Sequence, residues 1–512
     1  MGSLSERNPS VWVATTPETA YPPLSGRIEV DVAVIGAGIT GLTTALLLKE
    51  AGATVAVLEA GRVASGTTGY TTAKVTSQHG LVYAELVGKH GHDKARQYAD
   101  ANQAAIELVA GQVERRNIDC QFERQDAYTY TTEAERRADI AAEVEVATSL
   151  GLPATYVENT ALPYPVEAAV RFTGQAQFHP RRYCLALAEA IPDAGSHLFE
   201  MTRGLDVDES GDGQGRVVVK ADGGEVVAGD VVVATLLPFV DLGGFFAKAH
   251  PVRSYAMAVR VDGEAPSGMY LSADTPTRSV RPVHLDGDVG LILGGESHKV
   301  GQGGDTEQYY ATLGSWSRAN FSVASVEHRW SAHDYVPVDS LPFVGRSPRS
   351  QRLQVATGFK KWGMSNGTAA GRIMADNILG RENPWAAAFD ATRVDVTGSV
   401  KEFVSENLNV GKRFVKDHLD RLSAPSAAHL APGDAGLVDA GGEKVAAYRH
   451  PDGTLQAVSA ICTHMGCTVQ WNPAETTWDC PCHGSRFACD GTVLNGPAVA
   501  DLTQVPIDPE DR

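Results

Sequence analysis

The sequence predicts an open α/β dinucleotide-binding domain, a mixed or antiparallel sheet interleaved with it, and a small all-β domain at the C-terminal end. Three observations predict this. Residues 30–59 run strand, glycine-rich turn, helix, strand and acid without interruption. Segments around 119–130 and 252–296 alternate apolar and polar residues, the period of half-buried strands. Five of the seven cysteines lie from Cys462 onward, where two short cysteine–histidine hairpins stand. With 512 residues the chain is too long for one core, so two or three domains are expected.

The first domain opens with residues 30–35, Val-Asp-Val-Ala-Val-Ile, which read as a buried strand. Gly36-Ala37-Gly38-Ile39-Thr40-Gly41 follows, then a helical run over 42–51, and Gly52 ends it. Residues 54–58 form the second strand, closed by Glu59 and Ala60. This is a complete βαβ dinucleotide fingerprint. Gly36 allows the tight turn, Gly38 lets backbone approach a pyrophosphate, and Gly41 allows close helix–strand packing. The helix N-terminus, with Ile39 and Thr40, aims amides and a positive dipole end at phosphate. Glu59 is placed to accept from ribose hydroxyls. A strand over 229–235, ending at Thr235, returns to the same sheet. Residues 339–345 lead to a further strand over 353–356, a glycine-rich turn over 358–367 and a helix over 368–379. The dinucleotide domain is therefore discontinuous, over 28–390, with the second sheet mainly at about 119–160 and 245–330. Residues 1–27 carry Trp12, Tyr21, Pro22 and Pro23 and read as an ordered arm. Residues 391–427 repeat apolar side chains every three or four positions and read as a helical connector.

The two hairpins are Cys462-Thr463-His464 and Cys480-Pro481-Cys482-His483. Each offers one thiolate and one imidazole. Two thiolates on one iron and two imidazoles on the other is the ligand set of a Rieske [2Fe–2S] centre. A zinc site is the competing reading, but zinc knuckles pair like ligands, and here both are mixed. Cys467 and Cys482 would have no role among four zinc ligands. The expected chemistry is one-electron transfer.

Residues 428–512 resemble Rieske proteins of the cytochrome bc type. The resemblance implies a Cys467–Cys482 disulfide tying the two cluster loops together. It implies a covering loop at Gly496-Pro497 and a Ser485 hydroxyl bonded to a bridging sulfur. High-potential relatives carry Tyr where this chain has Phe487, and donors to cluster sulfurs stabilise the reduced state. A potential in the lower or middle part of the Rieske range of about −150 to +300 mV is expected. Residues 28–390 resemble the D-amino-acid oxidase, glycine oxidase and sarcosine oxidase superfamily, which favours FAD over NAD. The resemblance rests on residues 64–74 after the second strand and on residues 339–379. It implies flavin contacts from Thr67, Thr68, Thr72, Ala73 and Lys74, and from Gly345, Gly358, Gly363, Met364 and Ser365. Some relatives attach flavin through a histidine in the first loop; Tyr70 stands there, and His79 reads as structural. The whole is identified as an FAD-dependent oxidoreductase of the glycine/D-amino-acid oxidase type with a C-terminal Rieske domain.

Enzymes of this type bind an amine deprotonated and take its α-hydrogen as hydride on the flavin, so the protein supplies orientation and electrostatics. Lys361, Trp362 and Met364 are the candidates beside the flavin, and Arg253 and Tyr255 open a strand of the second sheet toward a substrate pocket. Glu296, His298, Lys299, His333 and Asp334 are weaker candidates; His179, before Pro180, reads as a helix-start packing residue. Sarcosine-oxidising relatives place a lysine soon after the Gly363 position. Ser365 and Asn366 stand there, which argues against a simple amino acid as substrate.

The net charge of −18 argues against nucleic acid and anionic membranes as partners. No run of about 18 apolar residues and no basic-then-apolar leader is visible, so a cytoplasmic protein without membrane spans is expected. Cys120 and Cys184 read as buried thiols. The function expected is a flavin dehydrogenase that oxidises an amine-like substrate and passes electrons singly to the cluster, then to a ferredoxin-like carrier or a quinone. Two alternatives stand beside it: a reductase feeding the cluster through FAD, which lacks a second GxGxxG, and an O2-using amine oxidase with an auxiliary cluster.

Overall fold

The computed structural model describes residues 8–211, 215–393, 426–440 and 443–506. Its first sheet has the order Phe343–Arg346, Leu353–Thr357, Gly224–Val233, Gly26–Ile35, Val55–Leu58 and His197–Phe199, with an antiparallel ribbon of Gly204–Asp208 and Val217–Ala221 on one side. The inner strands pair in parallel. Parallel strands need cover on both faces, and alternate residues of one strand supply it. Val32 and Val34 join the cluster containing Leu42, Ala45 and Ile373, whereas Ala33 and Ile35 join the one containing Val219, Val226 and Phe245.

The helices Ile39–Glu50 and Gly363–Ile378 cover one face and pack on each other. The second begins at Gly363, not at the expected 368, because its glycines are contact residues and not breakers. A Cβ on Gly367 would lie 2.6 Å from Thr40 Oγ1, and one on Gly371 would lie 2.9 Å from Thr43. Small residues at this crossing let the helix axes approach.

The second sheet is mixed, as expected. Its order is Val323–Pro337, Ala249–Val261, Asp288–Lys299, Ser279–Leu285, Met269–Ser272, Glu123–Thr131, Ala168–Gln177 and Lys74–Val75, with Ala154–Val157 beside Ala168–Gln177. One pair is parallel, Met269–Ser272 with Glu123–Thr131; the others are antiparallel. The helix Pro180–Glu189 starts where His179 predicts, and His179 Nδ1 accepts from Arg182 N at 3.2 Å.

The C-terminal domain is two small antiparallel sheets, Ala435–Ala440 through Leu455–Ser459 and Gln470–Asn472 through Val493–Asn495. It is seated on the second sheet. Ala474 is buried within that sheet's apolar cluster. Tyr310 Oη and Ser331 Oγ donate to Glu475 Oε1 at 3.0 and 2.8 Å, and Thr306 Oγ1 donates to Asn472 Oδ1 at 2.7 Å. The arm adds to the joint: Asn8 Nδ2 donates to Ala474 O at 2.7 Å, and the buried Trp12 donates to Thr71 O at 2.7 Å. Most of the helical connector expected over 391–427, namely residues 394–425, lies outside the described residues. Among the described residues no helix is long and apolar enough to cross a membrane.

Candidate functional site

A cavity of about 1300 Å³ runs from the glycine turn across the edge of the second sheet. That exceeds the roughly 300–1,000 Å³ of ordinary small-molecule pockets, and leaves room for a dinucleotide with a substrate beside it.

The glycine turn fits a pyrophosphate. Gly36 has φ +109°, where a Cβ would lie 2.6 Å from Ala234 O. Gly38 is the helix N-cap and lines the cavity, so with no side chain there an anion can approach the backbone of the helix start. Gly41 does not line the cavity but sits beneath it: a Cβ there would fall 1.9 Å from Gly36 O. Glu59 Oε2 accepts from Ala37 N at 2.8 Å and Oε1 from Gly61 N at 2.9 Å. Burial raises its carboxyl and these amides oppose the rise. Ile39, Thr40, Ala60, Thr67, Thr68, Thr72 and Thr235 also line the cavity. Thr68 Oγ1 accepts from Ile39 N at 3.2 Å and so fixes the loop after the second strand against the helix start.

At the other end Lys74, Tyr255, Lys361, Trp362, Gly363 and Met364 reach the cavity. Lys74 is buried, and its Nζ donates to Tyr270 O and to Ser279 Oγ. Burial, then the neighbouring Arg281 cation, lower its ammonium to about 7. Lys361 opens into the cavity and donates to Ser297 Oγ at 2.7 Å. The surrounding protein lowers it to about 8, against the pull of Asp334. Asp334 accepts from Lys361 N at 2.7 Å and Tyr335 N at 2.8 Å, yet burial raises it to about 6. Trp362 stacks on His79 with centroids 4.6 Å apart. His79 also bonds Tyr98 Oη and Ser365 Oγ, so it is structural, as expected.

Several expected contacts lie elsewhere. Ser365 faces His79, Gly358 packs on Pro337, Gly345 lies toward Asn377, and Ala73 uses its carbonyl to accept from Arg281. Arg253 corrects the pocket assignment most. It lies on the face opposite Val252 and Ser254, which line the cavity, and a register shift between Ser254 and Tyr255 interrupts the alternation, so Tyr255 still reaches it. Arg253 is fully buried, with Nη1 on Ser331 Oγ at 2.7 Å and Nη2 on Asp479 Oδ2 at 3.0 Å. Tyr255 Oη pairs with His298 Nε2 at 2.9 Å. Glu296 is taken up by Arg278 and is not among the residues lining this cavity. Arg203, Tyr335 and Asp479 were not signalled by any motif.

The two cysteine–histidine loops are conformational twins. Cys462 N donates to Cys467 O and Gly466 N to Cys462 O; Cys480 N donates to Ser485 O and Gly484 N to Cys480 O. Gly466 and Gly484 take φ +79° and +78°, a region in which glycine is unstrained. Cys467 and Cys482 are bridged as expected. The rings of His464 and His483 stand 5.0 Å apart, and both Nδ1 atoms are buried without a hydrogen-bond partner. A buried polar atom without a partner is costly unless something ligates it, so these two nitrogens and the buried Cys462 and Cys480 fit a cluster with His₂Cys₂ ligation. Ser485 Oγ accepts from Ala498 N at 3.0 Å and holds the Gly496-Pro497 loop against the cluster loop. His483 faces inward onto Phe246, centroids 5.2 Å apart, and Tyr335 Oη donates to His483 O at 2.6 Å.

Comparison with known proteins agrees with this geometry. Residues 31–377 match the family model "FAD dependent oxidoreductase", and residues 421–506 match "Rieske [2Fe-2S] domain". The chain is 37% identical over 499 residues, 97% of each chain, to the "Putative Rieske 2Fe-2S iron-sulfur protein YhfW" of Bacillus subtilis (strain 168). Among solved structures, glycine oxidase from Geobacillus kaustophilus superposes with a TM-score of 0.58 at 21% identity, covering 72% of this chain and 99% of that one. L-proline dehydrogenase from P. horikoshii gives 0.58 at 19%, covering 73% and 98%. At such identities the superpositions carry the fold, while the family matches carry the cofactors, FAD and a [2Fe–2S] cluster. The chain belongs to the FAD dependent oxidoreductases and bears a Rieske [2Fe-2S] domain as its C-terminal part.

Proposed function

We propose that this oxidoreductase is a dehydrogenase that oxidises an amine-like substrate and delivers the electrons, within one chain, to the Rieske cluster and then to an external carrier. One observation carries the reading. The strand Val323–Pro337 is shared by both sites: Asp334 and Val336 line the cavity, and Tyr335 between them bonds the carbonyl of His483. When bound, the flavin accepts a hydride from the amine carbon and the cluster takes electrons one at a time.

The residues of the chain handle the proton and the orientation. The two bonds from Lys74 Nζ occupy both N–H groups of a neutral amine and leave its lone pair to take the substrate's ammonium proton. Lys74 is protonated below about 7 and neutral above it. Flavin bleaching by an amine is therefore expected to rise with pH through about 7 and Lys74→Met to lose that limb, as stopped-flow profiles from pH 5 to 9 would record. Asp334 holds the Lys361 backbone, so the wall beside Trp362 is fixed before substrate arrives.

Phe487 is fully buried in one apolar cluster with Cys462 and Cys480. Phe487→Tyr adds a donor at that cluster. One hydrogen bond is worth about 1 kcal/mol, so the potential should rise by about 40–60 mV, read by EPR-monitored redox titration; an unchanged potential removes this residue as a determinant.

The reading is tested by mixing the protein anaerobically with amines and amino acids, and separately with NADH and NADPH. Flavin absorbance and the reduced-cluster EPR signal report the outcome. Reduction by an amine is expected. Reduction by a nicotinamide nucleotide and by no amine assigns the reverse, reductase direction.

A further inference from the structure

The cavity is not closed by the oxidoreductase domain alone. On the Glu59 side its wall is the iron–sulfur domain: the hairpin of Arg486–Ala488 and Val493–Asn495, and the loop from Gly496 to Val499. Arg203 joins the two parts. It lines the cavity, and its Nη2 donates to Val493 O at 2.9 Å. Burial lowers its guanidinium below the ordinary range, and Asp222, then Glu59, and Asp501 from the other domain oppose this. Val493 N donates to Asp501 Oδ1 at 2.8 Å, which fixes this hairpin edge. The Ser485–Ala498 bond ties the same wall to the loop carrying Cys480 and His483. At the hairpin turn Cys489, outside the disulfide and half-buried, reaches the cavity.

Glu59 marks the ribose end of a dinucleotide bound at the glycine turn, and Gly38 marks its phosphates. A guanidinium beside Glu59 suits the negative charge of that half. We propose that the Rieske domain is itself part of the FAD-binding site: the wall formed by residues 488–499, with Arg203, covers the ADP half of the dinucleotide. FAD is then held in by the seated iron–sulfur domain, and it exchanges only when that domain lifts. This holds whichever substrate the enzyme oxidises.

Cys489 gives a native reporter. Cys120 and Cys184 are buried, and Cys467 and Cys482 are bridged. Full-length protein with its cluster intact and its FAD removed would be treated with N-ethylmaleimide, and labelling of Cys489 followed by peptide mass. Cys489→Ser identifies the reacting peptide. Adding FAD is expected to slow labelling at least tenfold, and ADP, which lacks the isoalloxazine, is expected to do the same. Equal labelling with and without FAD overturns the proposal, and so does protection by FAD that ADP does not reproduce. Independently, Arg203→Met is expected to raise the FAD Kd at least tenfold by flavin fluorescence with the cluster EPR signal unchanged. An unaltered Kd contradicts the role of Arg203.

Discussion

Asp479→Asn should unseat the iron–sulfur domain at a cost of about 3–5 kcal/mol, the range for breaking a buried ion pair from one side. Asp479 is 2% exposed and lies between two guanidiniums, Arg253 Nη2 at 3.0 Å and Arg486 Nε at 3.3 Å. Asn472 Nδ2 and Thr477 Oγ1 donate to it as well, at 2.9 and 2.8 Å. These partners hold its carboxyl well below the ordinary range against the effect of burial. An amide in its place leaves two buried cations facing each other. Arg253→Met is the informative companion, because the Asp479–Arg486 pair survives in it; the loss should be distinctly smaller. Thermal unfolding followed by circular dichroism ranks the two variants. Equal losses contradict the role given to Asp479 as a shared counter-ion.

Gly41→Ala is expected to empty the flavin site. Its Cβ would lie 1.9 Å from the carbonyl oxygen of Gly36, so backbone, not a side chain, has to move. The displaced atoms are the turn and helix start that would receive the pyrophosphate. Gly38→Ala makes a graded control, since its Cβ would meet only the Thr68 hydroxyl at 3.1 Å. The first variant should purify with less than about a tenth of the flavin content, a loss of more than about 1.4 kcal/mol in binding, while the cluster EPR signal remains. Native flavin content in Gly41→Ala excludes the close packing assigned to that residue.

The glycine turn, Glu59 and the two cysteine–histidine loops are legible in the sequence because each is a local pattern: close spacing fixes which atoms come near one another. The same holds for His179, whose place before Pro180 marks a helix start. Arg253 shows the limit. Its strand could be read, but which face of that strand meets the cavity depends on the register with Asp288–Lys299 and Val323–Pro337, and on where the iron–sulfur domain sits. Its partner Asp479 is 226 residues away, and no local signal joins them. The helix at Gly363 starts earlier than its local sequence predicts for a related reason. Gly367 and Gly371 look like breakers locally, and only the crossing with Thr40 and Thr43 makes them contacts. Tyr335 and Arg203 stand in ordinary strand and turn sequence, and tertiary placement alone brings the first to His483 and the second to the cavity wall.

The proposed function, with the joint on Tyr335 and Asp479 behind it, has electrons reach the cluster without a second molecule. Flash photoreduction of the flavin under anaerobic conditions, with the cluster followed by absorbance and by freeze-quench EPR, tests this without any substrate. Cluster reduction at a rate independent of protein concentration is the predicted result. A rate that scales with protein concentration, or a flavin that stays reduced beside an oxidised cluster, would contradict it.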